Sequence, residues 1–272
     1  MEKQNITPFV GFVILAIINH KLFKMKKIFL LLLIFTITLN AQQGLFVFHP
    51  VSVNDSKLSE FETIQLDYGK QLAQDNVDNG SFEGWILLKK VRGIGNPEPL
   101  TNEIDYIWVH LYKNSKQLAD KAATWPYNKK FGKTRSEIYK GIDVESPGQF
   151  YYKIEKQIQT GNQGKFVLLN WCTPNDLAGC MKKADEISSR FTSDKMAKYG
   201  MTDWGMATRI IPQNKPPLFF WDSYNSMEEV LDHLMFSSIV TDKEKAEIGE
   251  FLPNGWDNRV IYEILASTSP SY

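Results

Sequence analysis

The chain has 272 residues, 43% of them apolar and 13% aromatic, which is too rich in apolar side chains for disorder and enough for one large domain or two small ones. Its 31 basic and 31 acidic side chains cancel, but residues 1–41 hold five lysines against one glutamate, leaving 26 basic and 30 acidic groups beyond them. A mildly acidic body has no electrostatic footprint for nucleic acid or anionic lipid, so neither is expected as a partner.

Met25-Lys26-Lys27, the apolar run Ile28–Leu39 and the junction Asn40-Ala41-Gln42 have the three parts of a signal peptide, placed at residues 25–41. A run of about twelve apolar residues falls short of the roughly 20 that span a bilayer, so no stable membrane span is expected after cleavage. No cysteine follows the junction to carry a lipid anchor. Residues 1–24 contain a second short apolar run, Pro8–Ile18, and read as an over-long start or an extended signal, with Met1 or Met25 as the true start. An exported, periplasmic or extracellular protein is the expectation. The MKK start, the NAQ junction and the Lys/Asn/Ile-rich composition resemble exported proteins of Bacteroidetes-type bacteria.

Beyond Ala41 the pattern makes two passes through one order of elements. Gly44–Phe48 is β-rich. Asp55 and Ser56 are candidate caps of a helix carrying Phe61, Ile64, Tyr68 and Leu72 at spacings of 3, 4 and 4, and Gly80 ends it. Strands are predicted at Phe82–Val91 and Ile104–Tyr112 around a turn at Arg92–Asn102, in which Gly93-Ile94-Gly95 reads as turn. A helix from Ser115 to Ala123, more helix near Thr134–Lys140 and a strand at Phe150–Gln159 complete the pass. The second opens with Gly164–Leu168, close to a copy of the first opening. Thr173 is the predicted cap and Pro174 the first residue of a helix with Leu177, Met181, Ala184, Ile187 and Phe191 on one stripe. Strands Thr202–Ile211 and Leu218–Ser223, a helix from Ser226 to Met235, helical turns at Asp242–Glu250 and a strand at Arg259–Ser267 follow.

Each pass is therefore β-α-β-β-α-β, the ferredoxin-like unit with two helices on one face of an antiparallel sheet. The predicted fold is α+β: two ferredoxin-like repeats, residues 42–148 and 149–272, with the strand near 150–159 at the boundary. Two such sheets cover each other as a face-to-face sandwich or a closed barrel. This element order, with the paired Gly-x-Phe-Val openings, resembles the dimeric α/β-barrel superfamily, here in tandem as a pseudo-dimer. The resemblance implies a monomeric pseudo-dimer or a homodimer, and small oxygenases or isomerases among its enzymes, some without a metal and some with haem.

Strand 104–112 places Ile107, Val109 and Leu111 on one face and Tyr106, Trp108, His110 and Tyr112 on the other. The aliphatic face is expected under the helices, and the aromatic face in the space between the sheets. Aligning the two passes sets Phe220 against Trp108 and Asp222 against His110, so His110 and Asp222 are the candidate acid–base pair, the alternative being two satisfied polar residues at a strand end. Lys89 and Arg209 on the second strands are candidate cations for an anionic ligand, and otherwise solvated. His49, Asn170 and Trp171 end the first strands, where the resemblance places ligand contacts. Trp85 and Trp204 read as core. If haem bound, His110 or His49 would be its axial ligand.

Cys172 and Cys180, both beyond the signal, read as a disulfide in an oxidising compartment or as two free thiols, and two cysteines without further ligands do not make a metal site. No HExxH, G-x-S-x-G or C-x-x-C occurs, and Gly161–Lys165 reads as a hairpin turn rather than a phosphate loop. Three functions follow in order: a protein binding a small ligand between its halves, a cofactor-independent or haem-binding enzyme, and a partner-binding module of the envelope.

Overall fold

The computed structural model describes residues 44–95, 104–120, 122–213, 216–236 and 238–268. The predicted signal peptide, the segment before it and most of the 92–102 turn lie outside the described residues. In chain order, β1 (Leu45–Val53) leads through α1 (Leu58–Ile64) and a π-helical turn (Gln65–Gly69) into α2 (Lys70–Asp78). Strands β2 (Gly84–Gly95) and β3 (Tyr106–Tyr112) are followed by the short helices α3 (Ser115–Asp120), α4 (Tyr127–Phe131) and α5 (Arg135–Ile138). Next come β4 (Val144–Glu145), β5 (Phe150–Gln159), β6 (Phe166–Cys172), α6 (Leu177–Ser188) and α7 (Ser193–Lys198). The chain then forms β7 (Met201–Ile211), β8 (Leu218–Tyr224), α8 (Met227–Met235), α9 (Asp242–Gly249) and β9 (Asn258–Ser267).

Eight of these strands close a barrel in the order β1-β3-β2-β9-β6-β8-β7-β5 and back to β1, every pairing antiparallel; β4 adds two residues to the end of β1. Closure leaves no edge among these eight. The order also corrects two local readings. Gly161–Lys165 is not a hairpin, because β5 pairs with β1 and β7 while β6 pairs with β8 and β9. Gly93-Ile94-Gly95 belongs to β2, where the register shifts before Gly95 meets Val260.

The barrel interior is a packed core. Phe46, Phe48, Tyr152, Trp171, Phe219 and Trp221 meet there with Val167, Leu169, Val260 and Tyr262. Ring centroids lie 5.0 Å apart for Phe46–Tyr152, 5.1 Å for Trp171–Phe219 and 5.9 Å for Phe219–Trp221. An eight-stranded barrel is just wide enough for its own side chains to fill it, so the ligand space expected between the halves is occupied.

The two faces of β3 are the reverse of the expectation. Ile107 and Val109 belong to the interior, whereas Tyr106, Trp108 and Tyr112 face the helices of the first half. The helical side offers polar partners: Tyr106 Oη donates to Glu62 Oε1 (2.7 Å) and Trp108 Nε1 to Gln65 Oε1 (2.9 Å). Amphipathic aromatics settle where ring and polar tip are both satisfied, so the aromatic face of β3 turns to these partners and its aliphatic face to the interior.

Candidate functional site

The second half carries a cavity of about 310 Å³ between the outer face of its sheet and the helices above. Asn170 comes from β6, Trp204 from β7, Phe220 and Asp222 from β8 and Arg259 from β9. Ala184 and Ile187 of α6, His233 and Leu234 of α8, Lys245, Ile248 and Gly249 of α9, and the loop residues Phe191, Ser238, Val240, Leu252, Gly255 and Trp256 complete the walls.

Local sequence sets these elements. Helix α8 begins in a capping box, with Ser226 Oγ accepting from Glu229 N (3.2 Å) and Glu229 Oε2 from Ser226 N (2.9 Å). Helix α9 begins in another, Thr241 with Glu244, and Arg190 holds that same glutamate, keeping its carboxyl down at about 2. Helix α6 starts later than predicted. Asp176, not Thr173, is its cap, accepting from Gly179 N (3.0 Å), while Thr173 Oγ1 donates to Asp257 Oδ2 (2.5 Å).

The floor is a linked polar set. Arg259 Nε donates to Asn170 Oδ1 (2.7 Å), and Asn170 Nδ2 donates to Asp222 Oδ2 (2.9 Å), so the amide's orientation is set from both ends. The guanidinium stacks on Trp256, 5.3 Å from the ring centroid. Burial pushes the Asp222 carboxyl up to about 7, against the opposing charge of Arg259 and the Asn170 hydrogen bond. On the opposite wall, Ser238 Oγ accepts from Val240 N (3.1 Å) and lies 3.1 Å from His233 Nδ1. Burial first, then Arg259 and Lys245, lower His233 to about 4, so its imidazole is neutral near pH 7.

Three predicted site residues, Asn170, Phe220 and Asp222, meet in this cavity, joined by Trp204, which the sequence had assigned to the core. The others lie elsewhere. His49 and His110 sit on the outer face of the first half, their rings 4.3 Å apart, with Phe82 stacked on His110 at 5.1 Å and Trp125 at 5.9 Å. Strand β3 is separated from β8 by β2, β9 and β6, so His110 and Asp222 are not a proton-transfer pair. Lys89 pairs with Glu62 at 2.7 Å. Arg209 lies at the barrel end, donating to Tyr152 Oη (2.7 Å), to which Trp171 Nε1 also donates (3.1 Å). Trp85 is buried under the helices of the first half. Arg259, His233, Ser238, Lys245 and Trp256 were missed; a polar pair, Asn258-Arg259, opening the otherwise apolar start of β9 was the available signal.

Haem does not fit the histidines expected to ligate it. His110 is enclosed by rings from His49, Phe82 and Trp125, and His49 packs its ring against His110 with its own Nε2 buried and without a partner among the described residues. Cys172 and Cys180 are free and buried in one apolar cluster, the second of the two alternatives; burial pushes both thiols up, Cys180 to about 11. Among the described residues no group of three or more metal-ligating side chains converges, and no helix is long and apolar enough to cross a membrane.

The asymmetry between the halves is informative. His49 and His110 stand in the same register on β1 and β3 as Asn170 and Asp222 on β6 and β8. In the first half that diagonal is covered by stacked rings; in the second it opens into the cavity.

No protein-family model matches the chain, and no curated protein does. Among solved structures, a candidate monooxygenase of Fusobacterium nucleatum aligns with 85% of this chain and 96% of its own, at 11% identity and a TM-score of 0.54. A candidate monooxygenase of Lactobacillus acidophilus aligns over 83% and 96% at 16% identity and a TM-score of 0.49. Chlorite dismutase of Candidatus Nitrospira defluvii aligns over 84% and 94% at 9% identity and a TM-score of 0.44. At these identities the likeness is one of architecture: the chain is an α+β protein with an eight-stranded antiparallel barrel, and the Fusobacterium structure shares its overall fold.

Proposed function

We propose that this protein binds a small, largely apolar molecule in the cavity of its second half. The observation that carries the reading is a 310 Å³ space, walled by aromatic and aliphatic side chains, with the hydrogen-bonded set Arg259–Asn170–Asp222 at its floor. Small-molecule sites have this construction, an apolar cavity of about 300–1,000 Å³ with a few convergent polar groups. The strand order β5-β1-β3-β2 in one half and β9-β6-β8-β7 in the other supports two ferredoxin-like repeats in one chain, 42–148 and 149–272, with β5 (Phe150–Gln159) at the boundary serving as the last strand of the first. One chain supplies all eight strands, which favours a monomeric pseudo-dimer, and the N-terminal pattern favours export to the periplasm or beyond. Native mass spectrometry of protein from its exporting host tests the whole reading. A chain starting near Gln42 with a bound species that is lost in Ala184→Phe, which fills the cavity, is the expected result. A ligand-free mass, or a ligand kept by Ala184→Phe, would overturn it.

A second reading, proton-transfer catalysis on the bound molecule, is favoured by Asp222 alone, a carboxyl poised near neutrality inside the cavity. Asp222→Asn should then bind the isolated ligand and fail to convert it; equal turnover would remove catalysis from the account.

A further inference from the structure

Resting on the proposed cavity, we infer that its ligand is an aromatic carboxylic acid whose carboxylate is held by Arg259. Arginine carries five N–H donors in a planar fork suited to a carboxylate. Only Nε of Arg259 is engaged, on Asn170 Oδ1, and the side chain has no other hydrogen-bond partner among the described residues. The guanidinium is held between two contacts, Nε on Asn170 and its carbon 5.3 Å from the Trp256 ring centroid, and Arg259 lines the cavity. Asp222 acts on Arg259 through its charge, but among the described residues no hydrogen bond or ion pair within 4.0 Å joins the two; Asp222 Oδ2 accepts from Asn170. Lys245, which also pairs with Asp242 (3.4 Å), is a second cation in the walls, and Asp222 is the only acidic side chain among the lining residues.

The aromatic preference comes from the walls. Phe191, Trp204, Phe220 and Trp256 form a continuous arc, with successive centroids 5.6, 6.2 and 5.7 Å apart. Two of the three contacts are edge-on at 89°, which presents ring faces and edges in alternation to a planar guest.

The test compares 2-naphthoate with its uncharged isostere 2-naphthamide on the full chain, by quenching of tryptophan fluorescence and by calorimetry. The expected result is that the acid binds at least about tenfold more tightly, the scale of one charge-assisted hydrogen bond, and that Arg259→Gln brings it down to the amide's affinity. Arg259→Lys, which keeps the charge without the fork, should fall between. Equal affinity of acid and amide in the wild type would overturn the carboxylate assignment and leave the cavity reading standing. Binding of neither probe, nor of naphthalene, would overturn both. The wild-type comparison needs no variant, so a misfolded Arg259→Gln does not blunt it.

Discussion

At the scale of single residues the titrating groups act in opposite directions. Burial lowers His49 to about 4 and His110 well below the usual histidine value, and lowers His233 to about 4. An unfolded histidine titrates near 6.5, so below that pH the unfolded chain binds more protons. The histidine contribution is complete above about pH 6.5 and is lost as pH falls toward 4. Asp222 runs the other way, since its folded value of about 7 exceeds the ordinary 3.8. Its contribution is complete below pH 3.8 and is lost as pH rises through 7. We therefore expect Asp222→Asn, whose amide can still accept from Asn170, to be the more stable chain at pH 8, by about 2 kcal/mol. That is roughly half of the full shift, because Arg259 loses its counter-charge. Urea midpoints at pH 5 and pH 8 check it, and an unchanged difference between the two chains would show that Asp222 is ionised without cost. In His110→Phe, which keeps a ring against Phe82, the acid-side loss between pH 6.5 and 4.5 should be shallower than in the wild type.

At the scale of elements, α8 is the piece that brings His233 and Leu234 to the cavity, and its start depends on Ser226 and Glu229. Gly200 backs onto that cap: its φ is +66°, and a Cβ there would sit 2.0 Å from Glu229 Cδ. Ser226→Ala should cost about 1 kcal/mol, a fall of about 2–4 °C in Tm for a domain of this size. Gly200→Ala should cost more, since it adds left-handed strain to displacement of the capping glutamate. A calorimetric scan of both variants checks the order, and a smaller loss for Gly200→Ala would mean that Glu229 moves aside freely. Capping signals were legible in part: Ser226 and the stretch from Thr134 were read correctly, because a hydroxyl and a glutamate three residues on are a local pattern, whereas Asp55 and Ser56 are not caps, since they lie in a 3-10 turn ahead of α1 whose cap position is Lys57. Thr173 was misread, because Asp176 competes for the same helix and a tertiary partner, Asp257, takes the threonine hydroxyl.

At the scale of the whole molecule, closure couples the halves. Strand β2 pairs with β9 and β5 with β7, so the first half contributes two seams to the second, and the interior aromatics come from both. The described barrel is therefore expected to unfold in one transition, reported alike by tryptophan fluorescence and near-ultraviolet circular dichroism. Phe219→Ala, which removes a ring touching Phe46, Phe48, Tyr152 and Trp171, should lower stability by about 3–5 kcal/mol. It should shift both probes together; separated transitions would mean that each half is stable alone.

The order of elements was determined by the sequence itself. Periodicity, caps and turn residues act between neighbours along the chain, so strands such as Leu218–Tyr224 and helices such as Met227–Met235 emerged close to their observed bounds. Which face of a strand turns inward was decided only in three dimensions. On β3 both faces are largely buried, so the contrast between an aliphatic face and one of amphipathic aromatics with His110 does not by itself say which turns inward. The partners that decide, Glu62 and Gln65, arrive from a helix more than forty residues earlier. The site followed the same rule. Asn170, Phe220 and Asp222 were legible as polar or aromatic interruptions of apolar strands, whereas Arg259 and His233 join them only when β9 lies beside β6 and α8 folds back over the sheet. Local chemistry specified the pieces; long-range pairing and the competition for burial selected the half that holds an open cavity.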